Sequence, residues 1–140
     1  MEIQELSDYT EEQFMELVTL MKVLDNTLPL KKEVLDALLS STSDHLFVLK
    51  DKEHIIGCAT LGVFISPTGK KASIEDVVLH PDYQGKGLSK QLMHHLLDEL
   101  KKMAPIHVQL TSRPARIAAN NLYKAVGFSP KETNVYILDL

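Results

Sequence analysis

Residues 80 to 92 read HPDYQGKGLSKQL, the densest run of chemistry-bearing residue types in the chain. Gly85 and Gly87 flank Lys86, and Ser89 and Lys90 follow within three positions. Glycines at the start of a helix let an anion approach the main chain, where unpaired N–H groups and the helix dipole favour negative charge. Lys86 and Lys90 add positive charge beside that position. Two familiar phosphate loops do not fit. G-x-G-x-x-G needs glycine where Lys90 stands, and the stretch does not read G-x-x-x-x-G-K-[ST]. Taken alone, it supports an anion cradle and a plain strand-to-helix turn about equally. Cys58 is the only cysteine, so neither an internal disulfide nor a cysteine metal cluster is available. It sits in the apolar run 55–65, the setting of a buried inert thiol rather than a nucleophile. The histidines are scattered and suggest no metal site.

The surrounding elements give that stretch an address. Residues 1–6 alternate weakly, as a first strand would. Thr10 followed by Gln13 is a capping box, and Phe14, Leu17, Val18, Met21 and Leu24 continue at helical spacing. This predicts a helix over 11–24, broken by Asn26 and Pro29, and a shorter one over 31–41. The period then changes. Residues 45–50, 55–65 and 71–80 are rich in strand formers and joined by short polar turns, the pattern of antiparallel hairpins. Leu88, Leu92, Leu96 and Leu100 mark a helix that Pro105 stops. A strand over 106–111, a helix over 115–126 closed by Gly127, and a last strand over 135–140 complete the order. The expected chain is β-α-α-β-β-β-α-β-α-β, one α/β domain over residues 1–140. Its mixed sheet is antiparallel in the N-terminal part, with a parallel central strand pair where the strand-helix-strand crossover demands it.

In that setting the motif becomes more specific. Gln84-Gly85-Lys86-Gly87-Leu88-Ser89 resembles the Q/R-x-x-G-x-G/A pyrophosphate signature of the GNAT superfamily of acyl-CoA N-acyltransferases. The preceding IEDVVLHPDYQ is similar to that family's strand leading into the signature. AANNLYKAVGF, residues 118–128, is similar to its later helix ending in L-Y-x-x-x-G-F. The element order matches the family fold over essentially the whole chain. Two departures stand out: Ser89 replaces the usual Gly or Ala, and one strand rather than two follows the last helix.

The resemblance implies acetyl-CoA as co-substrate, lying where the two parallel strands splay apart. Its pantetheine arm would pair with the backbone of Val77, Val78 and Leu79, as an added strand does. Its pyrophosphate would lie against Gln84, Gly85, Lys86, Gly87, Leu88, Ser89 and Lys90, and Asn120 would bond the pantetheine arm. Tyr123 matches the tyrosine placed near the sulfur, as general acid or hydrogen-bond donor to the leaving thiolate. A free phenol titrates near 10 and a thiol near 8.5, so full proton transfer is uphill by about 2 kcal/mol in water. An alkylamine acceptor is mostly protonated at neutral pH and needs a base. Glu75 is preferred for that role over Asp76. Neighbouring strand residues face opposite ways, so only one of the pair is expected to line the site.

Fifteen basic against nineteen acidic residues give a formal charge of −4, which argues against nucleic acid as partner. No run approaches the ~20 apolar residues of a membrane span, and the acidic N-terminus does not read as a signal peptide. A cytoplasmic protein is expected. The leading function is acetyl transfer from acetyl-CoA to a primary amine by direct attack, the acceptor being a small-molecule or peptide amine. IEDVV with the glycine turn is also similar to glucosamine-6-phosphate N-acetyltransferases, which makes an amino-sugar phosphate one candidate. From a different class, Ser89 and the short segment after the last helix keep a non-catalytic acyl-CoA-binding regulatory module in view. A homodimer is compatible with the family, although nothing in the sequence marks its interface.

Overall fold

The computed structural model describes residues 1–140. A five-stranded mixed sheet runs in the order β1 (Glu2–Glu5), β2 (Asp44–Asp51), β3 (His54–Ser66), β4 (Gly69–Leu79), β5 (His107–Gln109). All neighbours are antiparallel except β4 and β5, which are parallel. Two helices, α1 (Glu11–Leu24) and α2 (Lys32–Ser40), precede β2. Between β4 and β5 lies α3 (Leu88–Lys101), and α4 (Ile117–Ala125) follows β5. No helix is long and apolar enough to cross a membrane.

The local signals act as expected. Thr10 Oγ1 accepts the Gln13 N–H, and Gln13 Oε1 accepts the Thr10 N–H, both at 3.1 Å. Two orphan donors at the start of α1 are thereby satisfied. Its inward residues Phe14, Leu17 and Leu20 pack with Val48, Cys58 and Val78 on one face of the sheet. The stripe Leu92, Met93, Leu96 and Leu100 of α3 packs on the other face, against Phe47, Leu61, Ala72 and Ile74. Each such fully buried side chain contributes about 1.5–3 kcal/mol. Cys58 is fully buried and its thiol is pushed up to about 12, chiefly by burial, which makes it inert.

Two elements differ from the sequence expectation. Residues 135–140 form no strand; Val135, Tyr136, Ile137, Leu138 and Leu140 stand exposed. The strand expected over 106–111 is reduced to His107–Gln109, which pairs only with Lys71–Ser73. Beyond that point β4 carries on without a strand on its β5 side.

A β-bulge accompanies the parting of the strands. Thr60 of β3 pairs with Glu75 and Cys58 with Val78, so the single residue Ala59 faces both Asp76 and Val77. Asp76 occupies left-handed backbone, with φ of 54°. The extra residue reverses the alternation of β4. Ile74 packs on the α3 face, whereas Val78, four residues on, packs on the α1 face.

Candidate active site

The glycine turn is anchored from several sides. Beyond β4 the chain makes a short 3₁₀ turn, Pro81–Tyr83. The Tyr83 hydroxyl donates to Asp51 Oδ2 at 2.8 Å, Gln84 Nε2 donates to the Leu79 carbonyl at 3.1 Å, and the Asp82 N–H donates to His80 Nδ1 at 3.1 Å. Gly85 and Gly87 both have φ of 77°, a conformation that side chains with a Cβ adopt only with strain. Open space lies where a Cβ would project at either glycine, so backbone conformation rather than crowding demands glycine there. Gly87 caps α3, and the first helical bond runs from Gln91 N–H to the Gly87 carbonyl at 3.2 Å. The N–H groups of the preceding turn, from Leu88 to Lys90, are left without helical acceptors, the arrangement that takes an anion.

Two clefts open where β4 and β5 part. The smaller, of about 720 Å³, is lined by Val77, Val78, Leu79, Gln84, Gly85, Gly87, Leu88, Ser89 and Lys90, and by α4 residues including Tyr123. The larger, of about 1470 Å³, lies between the end of α1 with the loop after it, residues 74–77 of β4, and residues 110–116. Val23, Leu24, Val77, Ala115, Arg116 and Tyr123 line both clefts, so the two join at the waist these residues form.

Tyr123 is 6% exposed, packed edge-on against Phe128 at 6.3 Å between ring centroids. Burial pushes its phenol above the ordinary value, partly countered by the Arg116 guanidinium. The group therefore stays protonated across the neutral range. As an acid it is weaker than a free phenol.

Glu75 and Asp76 both line the larger cleft. This corrects the expectation, drawn from strict alternation, that they must face apart. The bulge supplies the missing turn of the backbone. Partial burial, and then the charge of Glu75, raise the Asp76 carboxyl above its usual range. Glu75 is held by the Ser73 hydroxyl, which donates to Oε1 at 2.7 Å.

Two other residues singled out from the sequence turn away from the clefts. Asn120 Nδ2 donates to the Arg113 carbonyl at 2.9 Å, and Asn120 lines neither cleft; it ties α4 to the loop after β5. Lys86 swings out over the Tyr83 ring, 5.5 Å from its centroid, and leaves Lys90 as the lysine lining the smaller cleft. The sequence reading did not single out Ser112, whose Oγ is buried without a hydrogen-bond partner on the wall of the larger cleft. Nor did it assign Val23, Leu28 or Val34, exposed apolar side chains on that cleft, to a site. No local signal marks them, because each takes its place only through long-range packing. Away from the clefts, His54 Nδ1 lies 2.7 Å from Glu16 and 3.6 Å from Glu12, fastening the β2–β3 turn to α1.

Known proteins share this fold. The chain is 35% identical over 101 residues to an "Uncharacterized N-acetyltransferase ycf52" of Pyropia yezoensis, covering 71% of this chain and 55% of that one. It is 37% identical over 59 residues to the [Ribosomal protein bS18]-alanine N-acetyltransferase of Escherichia coli K12, covering 42% of this chain and 40% of that one. The matched region thus spans about half, or less, of these curated relatives. Among solved structures, a putative acetyltransferase from Agrobacterium tumefaciens superposes with a TM-score of 0.84 at 21% identity, covering 99% of this chain and all of that one. An aminoglycoside acetyltransferase from an uncultured soil metagenomic sample superposes with a TM-score of 0.83 at 19% identity, covering 99% and 95%. At such identities these two speak for the fold. The model of the acetyltransferase (GNAT) family matches residues 5–128, and the chain belongs to that family.

Proposed function

We propose that this chain transfers the acetyl group of acetyl-CoA to a primary amine by direct attack, and that a peptide α-amine is the acceptor its larger cleft is shaped for. The observation that carries the reading is the meeting of the two clefts at Val77 and Tyr123. One is built largely from backbone with anion-seeking N–H groups, the other from side chains that include a carboxylate pair.

The residues of the smaller cleft fit the co-substrate. The N–H groups at the start of α3 would take the pyrophosphate, with Lys90 as charge partner and Ser89 adding a hydroxyl. The free edge of Val77, Val78 and Leu79 would pair with the amide groups of the pantetheine arm. Acetyl-CoA, when bound, supplies a thioester whose carbonyl carbon accepts the amine and whose sulfur departs as thiolate. A main-chain N–H near Val78 would polarise the carbonyl oxygen as charge builds there. Tyr123 Oη would donate its hydrogen bond, or its proton, to the departing sulfur. Glu75 or Asp76 would receive the proton that the amine must lose, directly or through one water. The raised carboxyl of Asp76 suits it to hold a proton closer to neutrality than an ordinary aspartate does.

Two features favour a peptide end. At about 1470 Å³ the larger cleft exceeds the roughly 300–1,000 Å³ of ordinary small-molecule sites. Its exposed apolar residues Val23, Leu28 and Val34 would receive side chains flanking an amine. An α-amine, with a pKa near 8, is also about a tenth deprotonated at pH 7, so the carboxylates have less to do than with a lysine. The bS18-alanine N-acetyltransferases among the relatives act on such a group.

A thiol-release assay with acetyl-CoA tests the reading. The acceptor panel would hold peptides with free amino-terminal alanine, α-blocked lysine peptides and an amino-sugar phosphate. Fastest release is expected with the free α-amines. Preference for another amine would keep the enzyme and change its acceptor. Binding of acetyl-CoA with no release across the panel would instead leave an acyl-CoA-binding module.

A further inference from the structure

We propose that the larger cleft selects acceptor peptides with a carboxylate side chain, Asp or Glu, just after the amino-terminal residue, and that Arg113 and Arg116 read it. This deepens the acyl-transfer reading and rests on it.

Fifteen residues of the chain are basic, and only two of them are arginines, Arg113 and Arg116. Both stand in the segment between β5 and α4, and both line the larger cleft. They are the two ends of one tight turn. The Arg116 N–H donates to the Arg113 carbonyl at 3.0 Å, and Pro114 holds the second position. Proline presets the backbone there, and the Cα atoms at the ends of such a turn lie within about 7 Å. The Arg113 carbonyl also accepts from Asn120 Nδ2 at 2.9 Å, which fastens the turn to α4. Asn120 thereby fixes the place of two guanidinium groups.

Neither guanidinium has an acidic partner. The ion pairs of the chain are made by Lys32, Lys101, Lys102 and histidines. Two like charges in one turn repel, and an anion between them offsets that repulsion. The planar fork of arginine suits a carboxylate better than the point charge of lysine. On the α1 side of the same cleft, Lys22 and Lys31 also lack an acidic partner. Asp25, the acid on that side, is taken up locally: its Oδ1 accepts from the Thr27 N–H at 2.9 Å and the Thr27 hydroxyl at 2.6 Å. Those bonds, with a smaller contribution from Arg113 across the cleft, hold the Asp25 carboxyl below its usual range. A protein of formal charge −4 thus lines this cleft with four cations that no acid of its own pairs.

The phosphates of the co-substrate have their own place. They would meet the N–H groups that open α3, with Lys90, in the smaller cleft, which Arg113 does not line. In the larger cleft, Glu75 and Asp76 offer carboxylates to an amine, while the arginine turn offers guanidinium groups to an acid. Both pairs border one cleft. An extended peptide advances about 3.4 Å per residue, so the acid lies only a residue or two from the amine.

Three peptides that differ only after their first residue, beginning Ala-Glu-Glu, Ala-Gln-Gln and Ala-Lys-Lys, test this in the thiol-release assay with acetyl-CoA. The Glu peptide should show a KM about tenfold below that of the Gln peptide, with the Lys peptide highest. The preference should shrink as salt rises, because both arginines are exposed. In the double variant Arg113→Gln, Arg116→Gln, the KM of the Glu peptide should rise to that of the Gln peptide; an unchanged Tm checks the fold. Arg113→Lys with Arg116→Lys should keep only part of the preference, since the charge remains and the fork is lost. Equal KM values for the three peptides would overturn the inference and leave acyl transfer standing. So would a double Gln variant that keeps the preference, or one that raises only the KM for acetyl-CoA, since the arginines would then serve the co-substrate. An amino-sugar phosphate taken in preference to every peptide would overturn it as well. If no peptide releases thiol, the acyl-transfer reading fails separately, and titration calorimetry with the same peptides decides the selectivity. Tighter binding of the Glu peptide, lost in the double Gln variant, would uphold it, and equal binding would overturn it.

Discussion

The two clefts share Tyr123 and are built on opposite principles. The smaller has a backbone wall, made of a bare strand edge, two left-handed glycines and the first turn of a helix, closed by side chains of α4 and by Val23 and Leu24 of α1. Such a site needs particular residue types only where the main chain must bend or be bared, and those types fall close together in sequence. The larger is a side-chain site, assembled from the end of α1, the loop after it, the β4 bulge and the segment after β5. Nearly any side chain can stand at those positions, so they leave no compact motif. A family can therefore keep one co-substrate while its acceptors vary, because the two sites are written in different parts of the structure.

The largest expected effect strikes the side-chain cleft. Replacing both carboxylates, Glu75→Gln with Asp76→Asn, should lower kcat about 10³-fold at neutral pH, as expected for loss of a general base. Activity should recover as pH rises toward the acceptor's own pKa, near 8 for an α-amine and near 10.4 for a lysine. The pH of recovery thus reports the acceptor class. A double variant with undiminished kcat would deny both residues any part in proton removal.

Tyr123→Phe comes next, at the waist. A drop in kcat of about 100-fold, with both KM values nearly unchanged, is expected from loss of a donor used as the thiolate departs. If acetyl-CoA binding falls instead and turnover stands, the ring matters for packing alone.

Gly87→Val probes the backbone cleft. A β-branched residue at φ of 77° costs roughly 1–2 kcal/mol, so KM for acetyl-CoA should rise about tenfold while KM for the acceptor holds. Equal change in both would mean that the two clefts are mechanically coupled and the contrast between them is overdrawn.

The smallest effect concerns stability. The folded protein holds the Asp76 carboxyl above its unfolded value, so its ionisation disfavours the fold wherever pH exceeds the folded pKa. That cost fades as pH falls through the folded pKa and is gone below the unfolded value of about 3.9. Asp76→Asn should therefore raise Tm slightly at pH 7 and not at all near pH 3. Asparagine also tolerates left-handed backbone well. A Tm gain of the same size at both pH values would point to backbone fit rather than charge.

Much was legible in the residues alone. The capping box of Thr10 and Gln13, the leucine stripe of α3 and the polar turns between β2, β3 and β4 are local signals, and local signals survive translation into structure. The glycine turn belongs with them, since left-handed backbone at Gly85 and Gly87 is a requirement written at the position that meets it. Tyr123 was singled out because its motif sits on one helix, and the structure puts it on both clefts. Asn120 was read from the same helix and turned instead to Arg113, because spacing along a helix gives a face and not a partner.

The rest belongs to tertiary structure. A bulge depends on how two strands register, so no residue of β4 announces that Glu75 and Asp76 will share a cleft. The buried hydroxyl of Ser112 and the apolar margin at Val23, Leu28 and Val34 meet across gaps in the chain that periodicity does not span. Strand propensity at 135–140 was visible, yet a strand exists only when an edge receives it, and one chain folded by itself leaves that segment bare. Backbone demands are short-ranged and so can be read residue by residue. The larger cleft and the segment 135–140 depend on partners distant in sequence, and only the assembled fold decides which partners those are.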